Sequence, residues 1–386
     1  MAPVLPAQPL SHRLRELAFL FLKLGTIGFG GPAAHLALME DEVVRRRRWL
    51  THAEFLDLVG AANLIPGPNS TELAIHLGRL RAGTPGLLVA GASFILPATA
   101  IVTACAWAYV RFGSLPAGQH LLWGVKPVVL AIVVHALVRL ARTAVKSRAL
   151  ALAGIAATAA SALGVHELAV LFLTGLAVLL AREARPGPRA SPPPPSLLLV
   201  PGALGASAGA VAASPYALGT LFLFFLKVGS VLYGSGYVLL AFLRADLVQR
   251  WGWLTESQLL DAIAVGQVTP GPLFTTATFI GYVLGGPAAA LLATLGIFLP
   301  AFLFVAASAP WVPRLRASPV AGAFLDGVNV ASLALMTVVT WQLGKAAVAD
   351  LPAAALALGA SALLFATRLD ATWLVLAGAA IGLLAG

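Results

Sequence analysis

Charge is what this chain has least of. Only 10% of its 386 residues are Asp, Glu, Lys or Arg, and 59% are hydrophobic. A soluble domain carries about 25% charge, so a soluble enzyme or module is excluded and a polytopic membrane protein is expected. The length suits about ten spans of roughly 20 residues each. The net charge of +10 is no nucleic-acid footprint. Arg45 to Arg48, Arg139, Arg142, Lys146, Arg148 and Arg182 flank apolar runs, the pattern of cytoplasmic loops. Cysteine is almost missing: Cys105 stands alone, which leaves no intrachain disulfide and no cysteine-based metal centre. All seven histidines fall in the first half, and none is spaced with an acid as metal ligands are. No charged region precedes an apolar core at the N-terminus, so no cleavable signal peptide is expected.

What the chain does have is one stretch written twice. Phe21-Leu22-Lys23-Leu24-Gly25, Trp49-Leu50-Thr51 and Pro66-Gly67-Pro68 recur 204 residues later as Phe225-Leu226-Lys227-Val228-Gly229, Trp253-Leu254-Thr255 and Pro270-Gly271-Pro272. A register kept over that distance marks an internal duplication. The expected organisation is an N-terminal transporter repeat at 1–182, a proline-rich linker at 183–215 and a C-terminal repeat at 216–386. Residues 197–214 are apolar but rich in Gly and Ala, and are placed with the linker.

In the first copy the apolar run Leu14 to Met39 is expected to span, with a break at Gly28-Phe29-Gly30-Gly31-Pro32. Thr51 and Glu54, like Thr255 and Gln258, have capping-box spacing. The stretches 54–65 and 69–80 are too short to span and are expected to form a re-entrant pair of half-helices around Pro66-Gly67-Pro68. The stretches 256–269 and 272–284 are expected to do the same. Four more apolar runs follow in each copy, the last two short enough to pair as a tight hairpin. The fold class is therefore an all-α membrane protein of two repeats, each of about five spans plus a re-entrant pair. Five crossings invert the second copy, which also explains why the loop at 244–250 is less basic than Arg45 to Arg48. The rival reading makes the first run a second re-entrant hairpin, leaving four crossings per copy and parallel copies.

Interrupted helices at equivalent places mark a transporter site. Lys23 and Lys227 are cations inside apolar runs, costly unless they face the protein interior, and two of them would favour an anion. The half-helix starts offer unpaired N–H groups and a positive dipole end. Asn69, Ser70 and Thr71 stand at one of these starts, and Leu273, Phe274, Thr275 and Thr276 at the other. Asn63 and Gln267 are matched amides just before the breaks. Gly30, Gly31 and Gly234 allow close backbone approach. Glu72 and His76, four apart on one half-helix, are candidates for carrying a proton, beside the plainer reading of a local pair. Asp57 and Asp261 are expected to be solvated or paired with loop arginines. Lys126, matched to Asn329, is placed near an interface.

At these residues the sequence resembles the chromate ion transporter (CHR) family, in its long two-domain form. The resemblance rests on Phe21 to Pro32, Trp49-Leu50-Thr51, Asn63 to Pro68 and Gly266 to Pro272. It implies export of chromate, a tetrahedral dianion, from the cytoplasm across the cell membrane. Export would be tied to the proton gradient or the membrane potential and would confer chromate resistance. Another oxyanion such as sulfate, or a small organic anion, is the alternative substrate. No redox group is evident, no cofactor is expected, and no nucleophile–base pair is matched in both copies, so the chain is not expected to be an enzyme. Its expected partners are the anion, protons and the lipid bilayer, and a homodimer is compatible with this. The second copy departs from the family's glycine pattern at Tyr233-Gly234-Ser235-Gly236.

Overall fold

The computed structural model describes residues 9–29, 31–63, 65–183, 216–233, 238–308, 319–367, 369 and 371–385. The expected linker beyond Glu183, Gly30 and Gly234 lie outside them. The described residues are helical, in two matched sets. The first copy contains α1 (Leu10–Ile27), α2 (Gly31–Glu40), α3 (His52–Ala62), α4 (Asn69–Phe112), α5 (Pro116–Ala144), α6 (Arg148–Ala162) and α7 (Glu167–Glu183). The second contains α8 (Leu218–Val231), α9 (Leu239–Phe242), α10 (Glu256–Val268), α11 (Thr276–Ser308), α12 (Pro319–Ala347), α13 (Leu351–Ala366) and α14 (Ala371–Ala385). α2 and α9 run on as π-helices, Asp41–Arg46 and Leu243–Arg250. A 3-10 turn, Leu273–Thr275, leads into α11. Both capping boxes form: the Thr51 and Thr255 hydroxyls accept from the amides of Glu54 and Gln258, whose side chains accept from the threonine amides. Four helical stretches are long and apolar enough to cross a membrane: 69–112, 116–144, 273–308 and 320–347.

Two of these do not run straight. Thr278 and Thr294 lie sixteen positions apart on α11, yet their hydroxyls are 2.7 Å apart. A straight helix would separate them by about 24 Å. The chain turns back at Gly285-Gly286, and α4 does so at Ala82-Gly83, where Gly83 and Gly286 take a positive φ open to glycine. Asn69 to Arg81 is therefore a half-helix laid against the span that follows it. Arg81, at its end, pairs with Glu16 at 3.0 Å and lies over the Trp49 ring. The entry to α3 and the exit of this half-helix thus share one end of the molecule, as a re-entrant pair requires.

The run from Leu14 to Met39 is not a single span. Lys23 reaches Glu42 at 2.6 Å, nineteen positions on, where a continuous helix would leave about 28 Å. Glu16 reaches Arg47 at 2.8 Å. The chain folds back after Gly28, and the second copy repeats this with Lys227 and Asp246 at 2.9 Å. The physical reason lies in the break itself: glycines and a proline leave the helix unable to continue, and the acid past the fold supplies the cation's partner.

The last two helices of each copy are less a hairpin than a clasp. α6 and α7 pack chiefly on α12, and α13 and α14 chiefly on α5. Glycines make the approach close. A Cβ on Gly124 of α5 would strike the backbone of Gly378 and Gly382 in α14, and one on Gly327 of α12 would strike Gly175 of α7. Small residues at crossings let helices gain dispersion contact where lipid leaves no hydrophobic drive between them. The largest buried cluster draws on both copies, with Val128 and Val129 of α5, Phe225 of α8, and Leu335 and Met336 of α12. Lys146, just past α5, pairs with Asp326 in the second turn of α12 at 2.7 Å. Trp123, in the second turn of α5, donates to Asp350 just past α12 at 3.0 Å.

Within each copy the first helix lies on the fourth through a glycine. A Cβ on Gly25 would overlap the Phe94 carbonyl, and one on Gly229 the Ile297 carbonyl. Backbone cannot give way as a side chain can, so Gly25→Val and Gly229→Val should each cost about 1–3 kcal/mol or more. Gly219→Ala on α8 faces open space and should be neutral or slightly stabilising. Thermal unfolding in detergent, followed by size-exclusion fluorescence, checks all three.

Candidate functional site

The four helix breaks of the two copies meet. The Gly67 amide, inside the first Pro-Gly-Pro, donates to the Leu232 carbonyl at 2.7 Å. The Gly271 amide, inside the second, donates to the Gly28 carbonyl at 2.9 Å. Gly67 and Gly271 are repeat equivalents, and so are Gly28 and Leu232. Each Pro-Gly-Pro thus caps the broken first helix of the other copy, a reciprocal contact of the kind a two-fold axis produces. Gly67 and Gly271 both hold positive φ, which lets the amide point across the break. The Gly28 carbonyl also accepts from His35 Nε2 at 2.8 Å. His35 is buried, and its ring lies edge-on to Phe94. Sequence reasoning passed over His35, because its repeat equivalent is Leu239.

Beside this crossing lies a cavity of about 490 Å³, lined by Asn63, Asn69 and Ser70 from the first copy and by Leu273 and Phe274 from the second. Lys146, Asp326 and Asn329 stand at its wall. Both half-helix starts thus open on one space. The Thr71 and Glu72 amides turn back to the Pro68 carbonyl, and Asn69 donates to Asn63 at 2.6 Å. The Thr71 hydroxyl is buried with no hydrogen-bond partner among the described residues. In the second copy the Thr275 and Thr276 hydroxyls donate to the Pro272 and Leu273 carbonyls, each at 2.8 Å, so they cap their own turn. Gly31 heads α2 at positive φ with open space on its Cβ side, and Gln267 lies in the last turn of α10.

The lysines are placed differently from the expected shared clamp. Lys23 and Lys227, 49% and 37% exposed, each hold a buried acid of their own copy, Glu42 or Asp246. Arg47 also reaches Glu42, and Arg250 reaches Asp246. The acids were legible, since both stand nineteen residues past a lysine in the same register. Asp261 is neither solvated nor paired with a loop arginine. It is 2% exposed, accepts from Tyr109 at 2.9 Å and pairs with Lys126 at 3.4 Å. Lys126 therefore ties α5 to α10, and it also donates to Ser257 at 2.6 Å. Glu72 and His76 do not form a local pair: the Glu72 oxygens and His76 Nε2 are buried without hydrogen-bond partners among the described residues.

The sequence profile of the chromate transporter family matches residues 15–180 and again 219–383. The chain belongs to the chromate transporter family. A "Chromate transport protein" of Cupriavidus metallidurans is 34% identical over 378 residues, 97% of this chain and 94% of that one. A "Chromate transport protein" of Pseudomonas aeruginosa is 34% identical over 357 residues, 87% of this chain and 82% of that one. A "Probable chromate transport protein" of Synechococcus elongatus is 32% identical over 353 residues, covering 89% and 87%. No solved structure matches the chain. A chromate transporter family member is a transporter and not an enzyme, and its apolar helices make it a multi-pass membrane protein, in bacteria of the cell membrane. The two profile matches begin 204 residues apart, at 15 and 219.

The ion pairs predict a graded response. The lysines are half in solvent, so Lys23→Met or Lys227→Met should cost no more than about 1 kcal/mol. Chromate Kd should stay within about threefold, under 1 kcal/mol. Lys227→Met with Arg250→Met leaves Asp246 buried and unpaired and should cost about 3–5 kcal/mol. Thermal unfolding and equilibrium binding separate these outcomes. A loss of more than about a hundredfold in Kd for either single variant would return the lysine to direct contact with the anion.

Proposed function

We propose that this protein exports chromate from the cytoplasm and so confers chromate resistance, with export tied to the membrane potential or the proton gradient. The observation that carries this reading is the pair of reciprocal hydrogen bonds that brings both half-helix starts to one cavity. A tetrahedral dianion there meets N–H groups and helix dipole ends from both copies. The binding groups are Asn63, Asn69, Ser70 and Thr71 from the first copy and the backbone around Leu273 to Thr276 from the second. Gly31 and Gln267 flank them, and Gly30 and Gly234 belong to the same breaks by sequence. Lys23 and Lys227 hold the hairpins that carry the breaks, and their charge acts on the anion at longer range.

The two copies are taken to be inverted in the membrane. The crossing count that first suggested this loses its force once the first run folds back. The contacts Lys146–Asp326 and Trp123–Asp350 support it instead, because they join the end of α5 to the start of α12, and the reverse. The arginines at 45–48 put that loop in the cytoplasm. A tag after residue 48 should then report the cytoplasmic side, and a tag after residue 250 the other. Finding the tags at 48 and 250 on one side would end the inverted reading.

The site itself is tested by charge. Asn69→Asp would set a fixed negative charge at the cavity wall and should cut chromate uptake into everted vesicles at least about tenfold, equivalent to 1.4 kcal/mol. Asn69→Ser keeps a neutral polar side chain at the cavity wall and should retain most uptake. Sulfate added as competitor reports how far the site tells one tetrahedral dianion from another. Equal uptake by the Asp and Ser variants, at equal expression, would move the anion elsewhere.

A further inference from the structure

Glu72 is the acid that nothing in the fold explains. It is 0% exposed, and neither carboxyl oxygen has a hydrogen-bond partner among the described residues. Every other buried acid among the described residues holds a cation: Glu42 has Lys23 and Arg47, Asp246 has Lys227 and Arg250, and Asp261 has Lys126. Glu72 packs on Gly67, at a point where any Cβ would overlap its Oε1, with Ala301 of α11 bordering the same spot. Among the described residues, the titratable group set against it from another element is the Tyr233 phenol at the second copy's break. On its own helix His76 follows one turn later. The Arg79 guanidinium is turned away, donating to the carbonyls of Val305 and Ala306.

A carboxylate without a cation or an N–H donor is not kept charged in such a place. A metal ion would need several oxygens around an open space. Glu72 Oε1 lies directly on Gly67, and no cluster of three His, Cys, Asp or Glu side chains is found among the described residues. A proton needs neither space nor further ligands. Asn69, which lines the cavity, is three positions before Glu72, and such positions are neighbours on a helix face. An ionised Glu72 and a dianion would therefore repel each other in a medium that screens them poorly.

We infer that Glu72 is a proton-binding site that works together with the anion site: the anion binds when this carboxyl holds a proton. The inference rests on the anion site proposed above. One O–H bond forms when Glu72 takes a proton from water and breaks when it releases it, with no redox step. The second copy has Thr276 in the matching place, its hydroxyl committed to Leu273, so this proton site belongs to the first copy alone. By linkage, each ligand then tightens the other.

The test is chromate binding to the purified protein in lipid across pH, in wild type and Glu72→Gln. Wild-type affinity should fall by up to about tenfold per pH unit as pH rises, the slope of one linked proton. Glu72→Gln should lose that slope and keep the tight affinity. Protonation of chromate itself is common to both proteins and cancels. Infrared difference spectra, wild type minus Glu72→Gln, should contain the carbonyl stretch of a neutral carboxylic acid without any anion present. Equal slopes in the two proteins would overturn the inference, and so would a missing carboxylic acid band. Wild type alone keeps it testable if the variant misfolds, since chromate affinity that does not fall with pH also overturns it. Failure of these arms with chromate still bound and carried sinks only the proton site. A wild type that binds no chromate sinks the proposed function, and this inference with it.

Discussion

A helix that breaks inside a bilayer leaves amides and carbonyls with no water to meet them. Four such breaks of this protein meet at the crossing, and its structure follows from how their groups are satisfied. The Gly67 amide answers the Leu232 carbonyl, and the Gly271 amide answers the Gly28 carbonyl. Neither copy could close its own break in this way, so the copies depend on each other at their centres. The same exchange governs the periphery, where α5 lies among helices of the second copy and α12 among helices of the first. Two repeats of sequence have become one packed body.

Charge obeys the same economy. Few ionisable groups are present, and most of those inside are paired. The pairs do mechanical work: Lys23–Glu42 and Lys227–Asp246 hold the fold-backs, Lys126–Asp261 and Lys146–Asp326 join the copies, and Arg81–Glu16 draws the ends of both hairpins of the first copy together. Against that background an acid without a partner at the crossing stands out, and it is where symmetry fails. Glu72 faces Thr276 in the repeat, as His35 faces Leu239. A duplicated scaffold can supply one symmetric passage and still keep titratable chemistry in a single copy.

The sequence alone determined the membrane class, the duplication and its register, both capping boxes and the two Pro-Gly-Pro breaks. These are local facts, fixed by composition, by spacing, and by what glycine and proline do to a helix. It also named Asn63, Asn69 and Ser70, which do line one cavity. Only the tertiary structure decided what lies across from what. Periodicity could not tell that Leu14 to Met39 folds back, because an interrupted span and a hairpin bury similar apolar faces. It could not assign the lysines their acids, or Asp261 its lysine, because a buried charge is defined by its partner and the partner is far off in the chain. It named Glu72 as a candidate for carrying a proton but could not foresee its burial without a partner, which is a property of the surroundings and not of the residue.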